Sequence, residues 1–407
     1  MATPLQIMSG DLTVLKKMNR LHIMNTLRSK GPLSRTQLAL LSGLNNKTIT
    51  NIINDLREKE IVISVGLLKS DDGRKKEHFK LNNELYYAIG IDLGASHITA
   101  IIIDLEGHVV HEKSFIFRFG LKGSIVLEKL IGLTRQLIEE SSIDRNRIVG
   151  IGFTAPGFFD RERGIWDLAF NITGWHGIPI RKILHERFDF EVYLQDCSRS
   201  MALAELWYGE GKHVQDFVLL DIGQGIGLGI VLNGALYEGS RLKSGEVGHL
   251  SVDPEGRRCT CGNYGCLESV SSGTAITSIV QERLRSGYRS KVLELVNGRI
   301  EDLTVSDVVD AADLEDRLAR EVLMNAGEKL GRAISYLINL FNPELIVLGG
   351  QLTKAGTHLI DPLLETARMH SVPNLFRDVH IKLSGLGSLS ASLGAATMAI
   401  NDQIFSL

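Results

Sequence analysis

The segment Cys259-Thr260-Cys261-Gly262-Asn263-Tyr264-Gly265-Cys266-Leu267-Glu268 gathers three of the chain's four cysteines within eight positions. It begins ten residues after the histidine of Gly245-Glu246-Val247-Gly248-His249. Thiolates with a neutral imidazole are the ligand set of a closed tetrahedral Zn²⁺ site. The two glycines between the second and third cysteine let the backbone turn tightly around an ion. Buried free thiols are the plainer alternative, but a loop rich in Gly and Arg lacks the composition of a core. His249, Cys259, Cys261 and Cys266 are therefore expected to hold a structural zinc. Four protein ligands leave no open position for water, which points to a shaped binding pocket rather than to metal-assisted hydrolysis.

His249 connects that loop to a ligand. One ring nitrogen can face the metal while the other stays free to form a hydrogen bond. Glu246 and Glu268 bracket the loop, so folding it brings two carboxylates toward one imidazole. A sugar hydroxyl both donates and accepts, and carboxylates paired with an imidazole suit it. Either glutamate alone would read as a solvated loop charge.

The elements that must position these residues divide the chain by charge and pattern. The whole chain of 407 residues carries a net charge of −3 and 44% hydrophobic residues, enough for two or three domains with substantial cores. Residues 1–82 hold 14 Lys/Arg and 7 Asp/Glu, a balance of +7, which leaves −10 for the remainder. A basic N-terminal part on an acidic body fits a nucleic-acid-binding module joined to a ligand-binding one. Cys197 lies apart from the other three cysteines, so no disulfide framework is expected. There is neither a bilayer-length apolar stretch nor a signal-peptide h-region, so a cytoplasmic protein without membrane partners is expected.

Within the basic part, Leu15, Met18, Leu21, Ile23, Met24 and Leu27 recur at helical spacing until Gly31-Pro32. Ser34 caps a short second helix with Leu38 and Leu41 inward, and Gly43 supplies the turn. Asn45 caps a third helix with Ile49, Ile52, Ile53 and Leu56 on its buried face. Its other face offers Asn46, Lys47, Thr50, Asn51 and Asn54, side chains able to reach phosphates and base edges. Strands near 61–65 and 78–81 flank Asp71-Asp72-Gly73-Arg74, a hairpin with Arg74, Lys75 and Lys76 at its tip. This is the pattern of a winged helix-turn-helix. Arg35, Asn46, Lys47, Thr50, Asn51, Arg74 and Lys75 are its candidate DNA contacts.

From Tyr86 the pattern becomes α/β and repeats. The strand Ala88–Asp92 ends in Asp92-Leu93-Gly94 and is followed by a strand from Ile98 to Asp104. Phe217–Asp221 ends in Asp221-Ile222-Gly223 and is followed by Ile226 to Leu232. One supersecondary unit used twice makes two lobes and a cleft, the usual place for a small ligand. The expected boundaries are 1–82 for the winged helix and 83–200 for a first lobe completed by a C-terminal helix in 386–407. Residues 201–385 make the second lobe, with the zinc loop.

The winged helix, the Asp-x-Gly starts, Pro156-Gly157, Asn171-x-x-Gly174-Trp175, Glu246-x-Gly-His249 and Cys-x-Cys-Gly-x-x-Gly-Cys-x-Glu together resemble the ROK family of sugar-responsive repressors and sugar kinases. The resemblance covers nearly the whole chain. It implies an actin-like, sugar-kinase-type α/β body of two lobes, with a ribonuclease H-like core, and zinc on His249, Cys259, Cys261 and Cys266. It also implies sugar contacts from Asn171, Asp196, Glu246, His249 and Glu268.

Family kinases use an Asn-Asp motif whose Asp is the general base; this chain has Gln195-Asp196, so Asp196 would be catalytic only in a kinase. Phosphoryl transfer depends on holding ATP and Mg²⁺, and the phosphate turns depart from the kinase pattern. Asp-x-Gly-Gly-Thr reads Asp92-Leu93-Gly94-Ala95-Ser96, and Gly-Thr-Gly reads Gly223-Gln224-Gly225. Leu348-Gly349-Gly350 is intact. ATP and Mg²⁺ are therefore not expected as cofactors. The favoured function is a homodimeric or larger repressor that binds operator DNA and a monosaccharide effector. The alternatives are a sugar kinase with a fused DNA-binding part, or a constitutive DNA-binding protein with a vestigial sugar site.

Overall fold

The computed structural model describes residues 12–69, 75–117, 121–168 and 172–405. The chain starts with α1 (Leu12–Lys30), β1 (Leu33–Ser34), α2 (Arg35–Ser42), α3 (Asn46–Glu58), β2 (Val62–Lys69) and β3 (Lys75–Leu81). Ser34 and Gln37 form a reciprocal capping box at the start of α2, and Gly43 ends it at φ 70°. The Asn45 side chain accepts from the Thr48 N–H and starts α3. The strands pair antiparallel in the order β1-β3-β2, completing a winged helix-turn-helix. α3 buries Ile49, Ile53 and Leu56 and turns Asn46, Lys47, Asn51 and Asn54 to solvent.

Two expectations for this part are corrected. Leu15 and Met18 are 54% and 52% exposed, because the second half of α1 alone (Ile23, Met24, Leu27) enters the core. Leu41 is 44% exposed, and Leu38 is the buried residue of α2.

The body holds two five-stranded sheets of one topology. The first contains β4 (Tyr87–Leu93), β5 (His97–Asp104), β6 (Val109–Ile116) and β7 (Ile148–Ala155). Beside it β8 (Phe158–Asp160), β9 (Ile165–Leu168) and β10 (His176–Ile178) make a small antiparallel sheet, after which β11 (Val192–Asp196) rejoins the main one. Its order is β11-β7-β4-β5-β6. In the second sheet, β12 (Phe217–Ile222), β13 (Ile226–Leu232), β14 (Ala235–Leu236), β15 (Leu345–Gly349) and β16 (His380–Leu383) run in the order β14-β13-β12-β15-β16. In each, the Asp-x-Gly strand is central, with an antiparallel neighbour on one side and a parallel one on the other. β4 is buried throughout, which its unbroken apolar run required.

Helices α4 (Gly123–Ser141) and α5 (Ile180–Phe188) fill the core of the first sheet. After α6 (Cys197–Tyr208) come α7 (Leu267–Ser271), α8 (Gly273–Arg285), α9 (Val292–Leu295), α10 (Val305–Asp313) and α11 (Arg317–Phe341). With α12 (Thr357–His370) and α13 (Pro373–Asp378) they cover the second sheet. The last helix, α14 (Ser390–Ile404), returns to the first sheet. Among the described residues, no helix is long and apolar enough to cross a membrane.

α6 and α14 lie where the two lobes meet, and they touch their neighbours backbone to backbone. A Cβ on Gly152 would stand 1.7 Å from the Ala395 carbonyl oxygen, and one on Gly394 1.7 Å from that of Ser200. On its other side α6 meets β13, where a Cβ on Gly229 would lie 2.3 Å from the Ala202 Cβ. The boundary expected at residue 200 thus falls inside α6, a helix shared by both lobes. Nor is the winged helix a loosely tethered bead. Asn82 Nδ2 donates to the Glu60 carbonyl at 3.0 Å and Asn83 Nδ2 to Asp104 at 3.1 Å. Ile23, Leu27 and Phe79 share one core with Trp207, Ala396 and Phe405.

Replacing Gly394 by Ala should lower stability by about 1–3 kcal/mol, the usual cost of overpacking where backbone must shift. Urea unfolding followed by circular dichroism measures this; an unchanged midpoint would mean α14 docks more loosely than described.

Candidate functional site

The ends of β11 and β13, the start of α6, and the loop leading to α7 converge in the cleft. Asp196 closes β11 and caps α6. Its Oδ1 accepts from the Arg199 N–H at 2.9 Å, and its Oδ2 is ion-paired with Arg199 Nε. Arg199 is buried, and its Nη1 donates to the Leu242 carbonyl at 2.7 Å. The cap contributes about 1 kcal/mol and fixes where the carboxylate points. Glu268, in α7, accepts from the Ile226 N–H at 3.0 Å, which ties that helix to the start of β13. Glu246 precedes the short turn Val247–His249. Its carboxyl titrates above the ordinary range because burial disfavours the charge; His249 opposes that, and Asp196 and Glu268 add to it. Asp196, Glu246, His249 and Glu268 therefore share one electrostatic neighbourhood. Asn171 lies outside the described residues.

His249 faces two ways. Its Nε2 stands 3.9 Å from the Glu246 carboxylate, whereas its Nδ1 lies 3.6 Å from the Cys259 sulfur. The Cys261 and Cys266 sulfurs are 3.6 Å apart, and all four ligand atoms fall within 4.8 Å of one another. Around a tetrahedral ion with metal–sulfur bonds near 2.3 Å, ligand atoms sit about 3.5–3.8 Å apart, so the set fits. Gly262 and Gly265 adopt φ +96° and +64°, and a Cβ on Gly265 would meet the Asp253 carbonyl oxygen at 1.5 Å. The two glycines singled out in the sequence are thus what lets the loop close. Burial pushes the Cys266 thiol up to about 12, while the Asn263 backbone N–H holds the Cys261 thiol below its ordinary value. A dication is the natural partner for sulfurs gathered this closely. Such an ion would anchor His249 and, through Cys266, the first turn of α7 that carries Glu268.

Deeper in the cleft, the Asp-x-Gly turns and Gln195 meet partners that the sequence reading did not single out. His97 Nε2 lies 2.9 Å from Asp92 Oδ2, and its ring rests on the first Asp-x-Gly turn: a Cβ on Gly94 would be 2.0 Å from His97 Cε1. Burial lowers the affinity of His97 for a proton, but the hydrogen bond and charge of Asp92 outweigh it, so His97 titrates above its ordinary value. Asp221, from the second turn, accepts from Ser198 Oγ at 3.2 Å. Burial raises it to about 7, against that hydrogen bond and reinforced by the charges of Asp92 and Asp196. Gln195 donates to Glu238 at 2.6 Å, and Glu238 is ion-paired with Arg161. Arg199 carried a readable signal, being three residues after an Asp that ends a strand. The partners of His97 and Gln195 are distant in sequence or depend on ring orientation, and no spacing announces them.

On the winged helix, Asn46, Lys47, Asn51 and Lys75 are exposed and Thr50 is half-buried, its hydroxyl donating to the Asn46 carbonyl. Arg35 is committed within the fold: it pairs with Glu77 at 3.0 Å and stacks over Phe79 at 4.4 Å. Arg74 lies outside the described residues.

A two-lobed, actin-like sugar-kinase body with a winged helix-turn-helix built onto its first lobe defines the class of this protein. The chain belongs to the ROK family, whose model matches residues 88–402. It is 30% identical over 395 residues to the xylose repressor of Caldicellulosiruptor bescii, covering 97% of this chain and 98% of that protein. A crystal structure of a ROK family transcriptional regulator, a homologue of the Escherichia coli MLC protein, superposes with TM-score 0.79 at 29% identity over 96% of this chain and 98% of that one. The ROK glucokinase of Streptomyces griseus, solved with glucose and AMPPNP, shares the body fold alone, with TM-score 0.68 at 24% identity over 77% of this chain and 98% of that one.

Asp221 generates a pH prediction. The native carboxyl keeps its proton to about 7, whereas the unfolded one ionises near 3.8. Between those values the native state holds the extra proton, so its stability falls as pH rises through that window. Asp221→Asn should flatten the fall, read from urea midpoints at pH 5 and pH 8. An unchanged pH slope would mean that Asp221 is ionised in the native cleft.

Proposed function

We propose that the protein is a sugar-responsive transcriptional repressor. The winged helix binds operator DNA, and the cleft binds a monosaccharide that releases it. The observation that carries this reading is the convergence of Asp196, Glu246, His249 and Glu268 in a chain that also presents the polar face of α3. Acceptors and an imidazole at several angles suit a polyhydroxyl ligand, and Asn171 joins them as a proposed sugar contact. His249, Cys259, Cys261 and Cys266 hold a structural zinc whose chemistry is to fix the ring of His249, leaving Nε2 for the ligand. Asn46, Lys47, Thr50, Asn51 and the wing residues Arg74 and Lys75 supply phosphate and base contacts. Arg35 contributes by positioning the wing through Glu77. The protein acts as a homodimer or larger homo-oligomer, so that two winged helices meet two operator half-sites.

Sugar binding draws the lobes together and shifts the winged helices away from operator spacing. A ligand does this only through its different affinity for the two states, commonly 1–3 kcal/mol of coupling. Kinase activity is disfavoured because two phosphate turns read Asp92-Leu93-Gly94-Ala95-Ser96 and Gly223-Gln224-Gly225, whereas phosphoryl transfer depends on positioned phosphates and Mg²⁺.

Two experiments test this reading. Purified protein should bind the DNA upstream of its own gene at fixed salt and be released by one of D-xylose, D-glucose or N-acetylglucosamine. Asn51→Ala should abolish tight binding, and Glu246→Gln should preserve it but remove the sugar response. Operator affinity indifferent to every sugar would sink the reading. Metal analysis should return about one zinc per chain, and stripping it should weaken sugar binding before it affects DNA binding. Sugar affinity that survives chelation would break the link between metal and pocket.

A further inference from the structure

α6 has two ends with different neighbours. Its N-cap is Asp196, in the ligand cleft, and its last turn carries Trp207 and Tyr208. The guanidinium of Arg28, from the last turn of α1, lies over the Trp207 ring with its carbon 3.9 Å from the centroid. On another side, Trp207 packs edge-on against Phe405 at 5.2 Å, and Tyr208 meets Thr397 of α14 at 3.5 Å. Arg28 is held weakly otherwise: its Nε reaches Asn25 Oδ1 at 3.4 Å, and its buried Nη1 has no hydrogen-bond partner. The aromatic face is thus the chief partner of a desolvated cation, and such contacts are sensitive to the cation's position over the ring.

Next to this contact is free space. A cavity of about 740 Å³ runs along one side of α1, lined by His22, Arg28 and Lys30 from the winged helix and by Gln195, Trp207 and Glu238 from the body. On this side α1 meets open space, while Ile23, Met24 and Leu27 hold its other face in the core that contains Trp207. Gln195 precedes Asp196, and Glu238 belongs to the second lobe, so the cavity touches the winged helix and both lobes. Because α6 is clamped at Gly394 and Gly229, lobe rotation must move it as a rod.

We infer that Arg28 and Trp207 are the positioning residues through which α6 transmits closure of the ligand cleft to the orientation of the winged helix. This rests on the sugar-responsive reading and adds the route by which the response travels.

The test uses the full-length protein and whichever of D-xylose, D-glucose or N-acetylglucosamine raises its melting temperature. Hydrogen–deuterium exchange is followed in residues 22–30, alongside operator affinity. In the unaltered chain, sugar should change exchange in that segment. In Arg28→Met that change should vanish and sugar affinity should be retained. The sugar-dependent ratio of operator affinities should then fall from at least about five-fold to under about two-fold. Trp207→Phe, which keeps an aromatic face, should retain most of the ratio; a merely structural role for Arg28 would lower overall stability and leave the ratio intact.

An Arg28→Met protein with the original ratio and exchange response overturns the inference while leaving the repressor reading standing. If operator affinity ignores sugar even in the unaltered chain, the repressor reading fails. Exchange still decides the route: a sugar effect that never reaches residues 22–30 refutes it, and one lost in Arg28→Met supports it. Should none of the three sugars bind, Asp196→Ala supplies the perturbation at the cap. Faster exchange in residues 22–30 then supports the route, and a change confined to the first turn of α6 refutes it.

Discussion

Two helices lie against neighbouring backbone so closely that a single methyl group would not fit, and the remaining architecture follows from that contact. α14 presses on β4 and β7 at Gly90 and Gly152, and on α6 at its own Gly394. α6 in turn rests on β13 at Gly227 and Gly229. Packing this close, backbone on backbone or on the small side chains of Ser198 and Ala202, leaves little room for gradual deformation. Any displacement of α6 or α14 would therefore be carried to whatever rests on those helices. The winged helix rests on them through Trp207, Ala396 and Phe405.

The cleft side of α6 is dominated by negative charge. Asp92, Asp196, Asp221, Glu246 and Glu268 approach one another, with Arg199 the buried cation among them and His97 beside Asp92. Burial raises Asp221 to about 7 and lifts Glu246 above its ordinary range, and the neighbouring carboxylates add to both shifts. Protonated carboxyls donate and ionised ones accept, so the cleft offers both halves of hydrogen bonding to hydroxyl groups. The loop of residues 259–266 lies at one edge, where Cys266 and Glu268 are only two residues apart and His249 stands between Cys259 and Glu246.

Much of this was legible in the sequence for a physical reason: the signals were local. Asn45 and Ser34 announced caps, the apolar runs ending at Asp92 and Asp221 announced buried strands, and Cys-x-Cys-Gly-x-x-Gly-Cys announced a loop closing on sulfur. What failed was information held between elements. Leu15 and Met18 keep helical spacing but extend past the core that would cover them. Leu41 follows Leu38 at helical spacing within α2, yet it lies beyond the core that covers Leu38. The role of α6 as a shared helix was hidden because the duplicated units suggest a boundary between lobes, whereas packing through Gly227, Gly229 and Gly394 binds the helix to both sides.

The phosphate turns carry the distinction between binding a sugar and phosphorylating it. A turn cradles phosphate with free backbone N–H groups. Here the Gly94 N–H donates to the His97 carbonyl, and the His97 ring lies over the turn. In the second turn the Gly223 N–H donates to Gly225, the Ile226 N–H donates to Glu268, and the Gln224 side chain accepts from Thr274 at 3.2 Å. The chain's own groups engage the Gly94, Gly223 and Ile226 N–H groups of these turns, the last through the Glu268 carboxylate. Moving Glu268 toward a sugar would loosen the Ile226 N–H and the start of β13. A displacement of Glu268 would thereby reach the strand that α6 packs against.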